Sequence, residues 1–481
     1  MTTEPLRLKL NFFDDFWVDF RPGTTRRWFQ PAFQTHYADI DFMGNSYSSL
    51  LYHPESGKFR LYYEVSPDWA DDSVRYLALA ESDDGLHFTP VDVRNTGEKR
   101  MRRIVYDGGT GVHGTGVMYD SRDPDPARRF KLTSVAHQKE RQGSVTLYPI
   151  TAAFSADGIH WTEPPGECVV HPYSSDAYNN LFFNPTTGEY CLIHRGVGID
   201  RRISMRTSKD FVHWTDPVLI GYPGASYNSD LTQMQFYSMW AGWVDGIFYG
   251  LVWWFSTSLV DMDFPKMWGT MDTELLYSYD GRNFMRSSGR LLVERPAPPA
   301  LGCFQLYLMG MVENRAGDEY ILQGIGSKCT HGDSGESNKK YTEKLGRPTF
   351  ASVFYTIRKD GFCGLEGIRN GTQVILKKME IVKPDISFNI NAAAGWARFG
   401  LMEPNGKFLD GFSYDDCVPF EGDGVSVTPT WKNARLESVV GKGQVRIAVE
   451  LNSAILHAMN ATVRPWTTER QRTFGDPVAV M

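Results

Sequence analysis

At 481 residues, with 42% hydrophobic and 22% charged residues, the chain has the length of about two domains and an ordinary soluble composition. A formal net charge of -7 argues against nucleic acid and anionic membrane surfaces as partners, and no apolar run approaches the ~20 residues needed to span a bilayer. The six cysteines form no Cys-x-x-Cys pair, which argues against zinc and dithiol chemistry and fits a reducing compartment.

The chain opens on Met1-Thr2-Thr3-Glu4-Pro5, without a charged and then apolar leader, so the expected location is cytoplasmic. Residues 1–45, with Phe12-Phe13-Asp14-Asp15-Phe16-Trp17, read as an arm packed on the domain that follows or closing its last sheet. From residue 46 a short phrase recurs. It reads Ser82-Asp83-Asp84-Gly85-Leu86-His87-Phe88, then Ser155-Ala156-Asp157-Gly158-Ile159-His160-Trp161, then Ser208-Lys209-Asp210-Phe211-Val212-His213-Trp214, then Ser278-Tyr279-Asp280-Gly281-Arg282-Asn283-Phe284. Lys359-Asp360-Gly361-Phe362 is a worn fifth copy. An alternating apolar run precedes each copy, the mark of a half-buried strand. Asp-Gly supplies a turn, and the aromatic residue opens the returning strand.

The copies lie 53 to 80 residues apart, which suits four-stranded units with variable loops. Two further strands precede each phrase, as at 47–53 and 59–64 in the first unit. The chain therefore reads as all-β, a five-bladed β-propeller over residues 46–369 followed by a C-terminal β-sandwich over 370–481. The alternative is one large sandwich with chance hairpins. After about residue 370 the phrase is lost, short alternating strands continue, and Asn405-Gly406 marks a hairpin. No cluster of catalytic residue types stands out there, which assigns that domain to stability or accessory sugar binding. Long connections at 265–273 and 327–348 suggest a loop over the propeller mouth.

Propeller topology brings the approaches to the first strands and the ends of the second strands to one mouth. That places Asp39, Asp41, His113, Asp176 and Asp230 beside Glu64, His137, Arg195 and His331. Such a ring of carboxylates, histidines and arginine suits glycoside hydrolysis, which needs one protonated and one ionised carboxyl across the scissile bond. Asp41 is the expected nucleophile or base and Asp176 the expected acid, with Glu64 and Asp230 in reserve. Asp39, His113, His137, Arg195 and His331 are the expected substrate-binding residues. No metal-ligand spacing, phosphate loop or Gly-x-Ser-x-Gly elbow is present, so no metal or cofactor is expected. Aromatic residues make up 14% of the chain, serving packing between blades and stacking on sugars.

Several stretches resemble a group of bacterial propeller proteins. They are Phe12-Phe13-Asp14-Asp15-Phe16, Tyr52-His53-Pro54-Glu55-Ser56-Gly57-Lys58-Phe59-Arg60-Leu61-Tyr62-Tyr63, Asp123-Pro124-Asp125-Pro126-Ala127-Arg128-Arg129-Phe130-Lys131, Ser208–Trp214 and Asp410-Gly411-Phe412-Ser413-Tyr414-Asp415-Asp416-Cys417. That group is similar to glycoside hydrolase family 32 and to the arabinan-cleaving propellers. The resemblance implies an enzyme acting on fructo- or arabinofuranosyl oligosaccharides. The family's blade-one nucleophile lies in a Trp-x-Asn-Asp-Pro-Asn-Gly string ahead of the first strand; here Ala38-Asp39-Ile40-Asp41-Phe42-Met43-Gly44-Asn45 stands in that place, with Asp41 the nearest equivalent. The family's Arg-Asp-Pro is matched in letters by Arg122-Asp123-Pro124, but that triplet falls between a first and a second strand, and His113 holds the corresponding place. Asp176 stands where the family has Glu-Cys. A non-catalytic glycan-binding propeller and a glycoside phosphorylase are the alternative readings.

Overall fold

The computed structural model describes residues 7–465 apart from 43–44, 67–73, 96–97, 110, 137–139, 143–144, 148, 165–174, 176, 197–200, 222–233, 258–268, 333–347 and 370. The described residues are almost entirely strands and turns, with a few short 3-10 turns. They divide into two compact units, one of residues 30–244 and 248–357, the other of residues 1–29, 245–247 and 358–481.

The larger unit holds five antiparallel meanders in chain order. Sheet one is Ser48–His53, Lys58–Val65, Tyr76–Ser82 and Thr89–Pro90, with Ile104–Tyr106 also on its third strand. Sheet two is Val112–Tyr119, Phe130–Ala136 and Ile150–Ser155. Sheet three is Asn180–Asn184, Glu189–Arg195, Ile203–Ser208 and Val218–Gly221. Sheet four is Met234–Val244, Ile247–Thr257, Gly269–Ser278 and Met285–Val293. Sheet five is Gln305–Glu313, Glu319–Ser327 and Phe350–Arg358, and the N-terminal strand Ala32–Tyr37 is its fourth. The first strand of each sheet touches the first strand of the next, and that of sheet five touches that of sheet one.

Glycine makes this approach possible. A Cβ on Gly114 or Gly116 would stand 1.9 Å from the carbonyl oxygen of Ala177 or Asn179, on the segment that leads into sheet three. Apolar side chains fill the space between successive sheets, such as Tyr62, Leu79, Phe130 and Leu132 between sheets one and two.

The recurring phrase builds the same turn four times. In the first copy the Ser82 hydroxyl accepts from the amides of Asp84 and Gly85, while Asp84 Oδ1 accepts from those of Leu86 and His87. The His87 ring meets the other carboxylate oxygen at 2.7 Å. Ser155 with Asp157, Ser208 with Asp210 and Ser278 with Asp280 repeat the pattern. Gly85, Gly158 and Gly281 take φ of 79°, 75° and 72°. In the third copy Phe211 takes φ of 65° at that place. A left-handed backbone costs a non-glycine residue about 1 kcal/mol, and its wholly buried ring between Phe154 and Tyr190 offsets that. The fifth copy differs. Asp360 is buried with φ of 54° and bonds Lys9, and the strand after it, Cys363–Gly367, pairs with Thr24–Trp28 and Ala454–Pro465 in the smaller unit.

Arg122-Asp123-Pro124 lies on the turn between the first two strands of sheet two. Asp123 receives the buried Lys131 Nζ at 2.6 Å, and that ammonium sits among the rings of Phe154, Tyr190 and Phe211. Asp123 thus serves the packing around Lys131, on the turn that its place in the strand order implied.

The smaller unit forms two antiparallel groups around Gln444–Asn452 and Ala454–Pro465, successive strands that do not pair with each other but share Met379–Ile381 as a neighbour. Ser387–Asn391 pairs with Ala454–Pro465 and Trp396–Met402 with Gln444–Asn452. Phe388 and Phe399, one from each group, stack at 4.5 Å.

His457 is buried in this unit and donates from Nδ1 to the Cys363 carbonyl at 3.1 Å. Burial, helped by the nearby Arg358 charge, pushes its pKa down to about 4. Between that value and the ordinary 6.5 the unfolded chain binds a proton that the folded chain refuses. The stability of this unit is therefore fully present above pH 6.5 and falls as the pH drops toward 4, by about 3 kcal/mol in all. Chemical denaturation of wild type and His457→Gln at a series of pH values checks this. The wild type should lose stability more steeply than the variant in that window.

Candidate active site

The site builds from the starts of the first strands and the ends of the second. Tyr47 precedes the first strand of sheet one, Tyr178 that of sheet three, and Trp253 lies late in the second strand of sheet four. Their rings stack as a set: Tyr47 on Tyr178 at 6.2 Å, Tyr47 on Trp253 at 6.2 Å, and Tyr178 on Trp253 at 5.8 Å. Tyr307, from the first strand of sheet five, meets Trp253 at 4.6 Å. The Trp253 indole donates to the Leu308 carbonyl at 2.6 Å, which locks that ring in place. Burial pushes the Tyr178 and Tyr307 phenols well up, and the charge of Glu64 adds to it, so both are neutral.

Glu64 is wholly buried at the end of the second strand of sheet one. Its Oε1 accepts from the Thr115 amide at 2.6 Å. Its Oε2 lies 3.8 Å from Arg75 Nη1 and 3.9 Å from His113 Nδ1, too far for a hydrogen bond and close enough for charge to act. Arg75 donates to His113 Nδ1 at 2.9 Å, so that nitrogen is the acceptor and the ring proton of a neutral His113 sits on Nε2. His113 also lies edge-on to Tyr47 at 5.2 Å.

Basic and aromatic groups line the side formed by sheets three and four. The Arg195 guanidinium lies 4.6 Å over the Tyr237 ring, and that of Arg201 lies 5.2 Å over Tyr237 and 4.7 Å over Phe255. Arg201 donates to Gln235 at 2.8 Å. His331 Nε2 and the Tyr237 hydroxyl meet at 3.0 Å.

Asp39 and Asp41 form a separate cluster on the approach to sheet one. Arg103 reaches both, bonding Asp39 Oδ1 through one terminal nitrogen and Asp41 Oδ2 at 2.6 Å through the other. Tyr63 donates to Asp39 at 2.8 Å. Burial works against the Arg103 charge, but the two carboxylates hold it firmly protonated. Asp39 is buried, whereas the Asp41 side chain keeps 45% of its surface open to solvent.

The structure thus brings Glu64 to His113, Arg195 to His331 across Tyr237, and Asp39 to Asp41 across Arg103. Asp176, Asp230 and His137 lie outside the described residues. Arg75, Arg201, Tyr47, Tyr178, Trp253 and Tyr307 were not expected from the sequence. Tyr47 and Tyr178 stand in the same place before a first strand as the expected residues and were legible by that rule. Arg75 precedes a third strand, which the rule does not cover. Burial also pushes the Glu274 carboxyl up to about 7, against a hydrogen bond from Trp254. Arg286 lies 2.7 Å away as its counter-charge, and that pair belongs to the packing around Trp254. Among the described residues no group of His, Cys, Asp and Glu could hold a metal ion, and no helix is long and apolar enough to cross a membrane.

No protein-family model matches the chain, and no curated protein matches it. Solved structures do. An N-acetylgalactosamine deacetylase from F. plautii, in complex with blood group B trisaccharide, is 14% identical with a TM-score of 0.45, over 70% of this chain and 96% of that one. A glycosyl hydrolase from Bacteroides ovatus is 13% identical with a TM-score of 0.41, over 72% and 96%. A structure from glycoside hydrolase family 130, whose mannoside phosphorylases include hydrolases that target β-1,2 mannosidic linkages in Candida mannan, is 14% identical with a TM-score of 0.40, over 72% and 96%. Each is a distant likeness.

Proposed function

We propose that this chain is a carbohydrate-active enzyme that hydrolyses glycosidic bonds, built as a five-bladed β-propeller with a β-sandwich. The closed contact of the five first strands supports the propeller, and the two strand groups of the smaller unit support the sandwich. The observation that carries the function is the meeting of Glu64, Arg75 and His113 beside the stacked rings of Tyr47, Tyr178 and Trp253. Arginine and histidine bond the hydroxyls of a sugar, and the buried rings back them, Tyr47 edge-on to His113. Asp41, open to solvent and paired with Arg103, is the nucleophile or base, and Asp176 is the general acid. Glu64, beside Arg75 and His113, is the first reserve carboxylate. Asp230 stands in reserve as a carboxylate, and Asp39, His137, Arg195 and His331 complete the substrate contacts.

The substrate class proposed is furanosides, on the resemblance to family 32 and the arabinan-cleaving propellers. Aryl α-L-arabinofuranosides and fructo-oligosaccharides, assayed beside matched pyranosides, test it. Release from the furanosides alone is expected. Release from pyranosides alone removes the furanoside reading, and tight binding without release turns the chain into a glycan binder. One observation favours phosphorolysis as a second reading: Arg195 and Arg201 both lie against the Tyr237 ring, at 4.6 and 5.2 Å, and two neighbouring guanidinium groups suit phosphate. Adding inorganic phosphate to the assay separates the two, because a phosphorylase yields the sugar 1-phosphate and a hydrolase the free sugar.

A further inference from the structure

The first strands also have a far end, where they turn into the second strands. There a cavity of about 360 Å³ opens among the ends of the first strands of sheets two, three and four. Its lining includes Asp120, Arg122, Tyr178, Asn180, Phe183 and Trp240. None of these belongs to the carboxylate and arginine clusters described above; Tyr178 alone is shared, as a wall between the two ends.

We propose that this cavity is a second saccharide site, taking a neutral sugar of one or two rings. Its volume is at the low end of the ~300–1,000 Å³ usual for small-molecule pockets. The polar groups are built in. Asp120 is buried and accepts from Tyr190 at 2.7 Å and from Arg122 Nε at 2.7 Å. Burial works against its charge, yet those two bonds hold its carboxyl below the usual range. The Arg122 guanidinium lies 3.2 Å over the Phe183 ring. It is held on one edge by Asp120 and on one face by Phe183, and its terminal nitrogens have no partner among the described residues. Trp240 is half-buried, and its ring lies along Gly242, where a Cβ would come within 2.8 Å of a ring carbon. Only glycine there lets the indole lie so close to the strand.

A flat aromatic ring beside a fixed, hydrogen-bonding guanidinium matches a saccharide, which has one apolar C–H face and an edge of hydroxyls. The charge of Arg122 is spent on Asp120, so an anionic ligand gains little and meets a carboxylate. A purely apolar ligand would strip water from Arg122 without replacing its hydrogen bonds.

The test uses the full chain and four probes at millimolar concentration: methyl α-D-mannopyranoside, methyl β-D-glucopyranoside, methyl β-D-galactopyranoside and methyl α-L-arabinofuranoside. Saturation-transfer NMR reads binding. At least one probe should bind saturably to wild type and to Asp41→Asn, and should bind at least about tenfold more weakly to Trp240→Ala and to Arg122→Met. Arg122 is half-exposed, so its variant keeps the test valid if Trp240→Ala fails to fold. Absence of binding by all four probes overturns the proposal. So does the outcome in which every probe that binds does so as tightly in Arg122→Met, or is lost in Asp41→Asn, which would place the sugar at the other end of the strands. Hydrolytic activity should be unchanged in Arg122→Met, so the two sites fail or stand separately.

Discussion

Asp176→Asn should lose roughly 10²–10⁴-fold in rate on a substrate with a poor leaving group, the usual contribution of a positioned general acid. On an aryl glycoside whose leaving group departs without a proton the loss should be much smaller. Asp41→Asn should slow both substrates alike, since a nucleophile or base is needed whatever leaves. The Asp41 carboxylate is suited to that part: its side chain is 45% exposed, open to an incoming sugar or water, and Arg103 lies 2.6 Å away and orients it. Arg103 keeps Asp39 in the Asp41 variant, so the fold on the approach to sheet one should survive. Initial rates on the two substrates, with circular dichroism to confirm folding, decide the matter. Full activity in both variants would remove the pair, and Glu64→Gln with Asp230→Asn would be the next to measure.

The largest effect on stability is expected from Lys9→Met. Lys9 is wholly buried, 2.7 Å from the equally buried Asp360 and 3.4 Å from Asp245. Removing one partner of such a pair leaves the other charge uncompensated, at a cost of about 3–5 kcal/mol. The melting temperature of the smaller unit should fall by roughly 10 °C or more. Adding Asp360→Asn should restore a large part of that loss, because the orphaned charge is gone; thermal unfolding of the single and double variants measures the coupling. If Lys9→Met alone melts like wild type, the pair adds nothing to the fold.

What the sequence determined by itself was local. The Ser-x-Asp turn was legible because every bond in it joins residues within three positions, from Ser82 to Gly85 and from Asp84 to His87. Strand periodicity told where strands lie but not their depth, since strands read as half-buried, such as Ile203–Ser208 and Phe350–Arg358, are buried along nearly their whole length between neighbouring sheets; the spacing of the turns told how many four-stranded units to expect. The placement of Arg122-Asp123-Pro124 followed from strand order alone. Other features depended on partners hundreds of residues away. Asp360 carries the letters of the repeat but takes Lys9, 351 positions away, because burial demands a counter-charge. The fourth strand of sheet five comes from residues 32–37, since an open sheet edge accepts any strand that reaches it.

The candidate site shows the same division. Glu64 and His113 were nameable because strand ends are countable, and their meeting depended on how sheets one and two approach each other. The stacking of Tyr47, Tyr178, Trp253 and Tyr307 was not nameable. Each aromatic residue, taken singly, looks like packing between sheets, and only the ring of first strands decides which of them share one floor. That ring is set by close backbone approaches such as Gly114 against Ala177, a contact between sheets that no periodicity along one strand encodes.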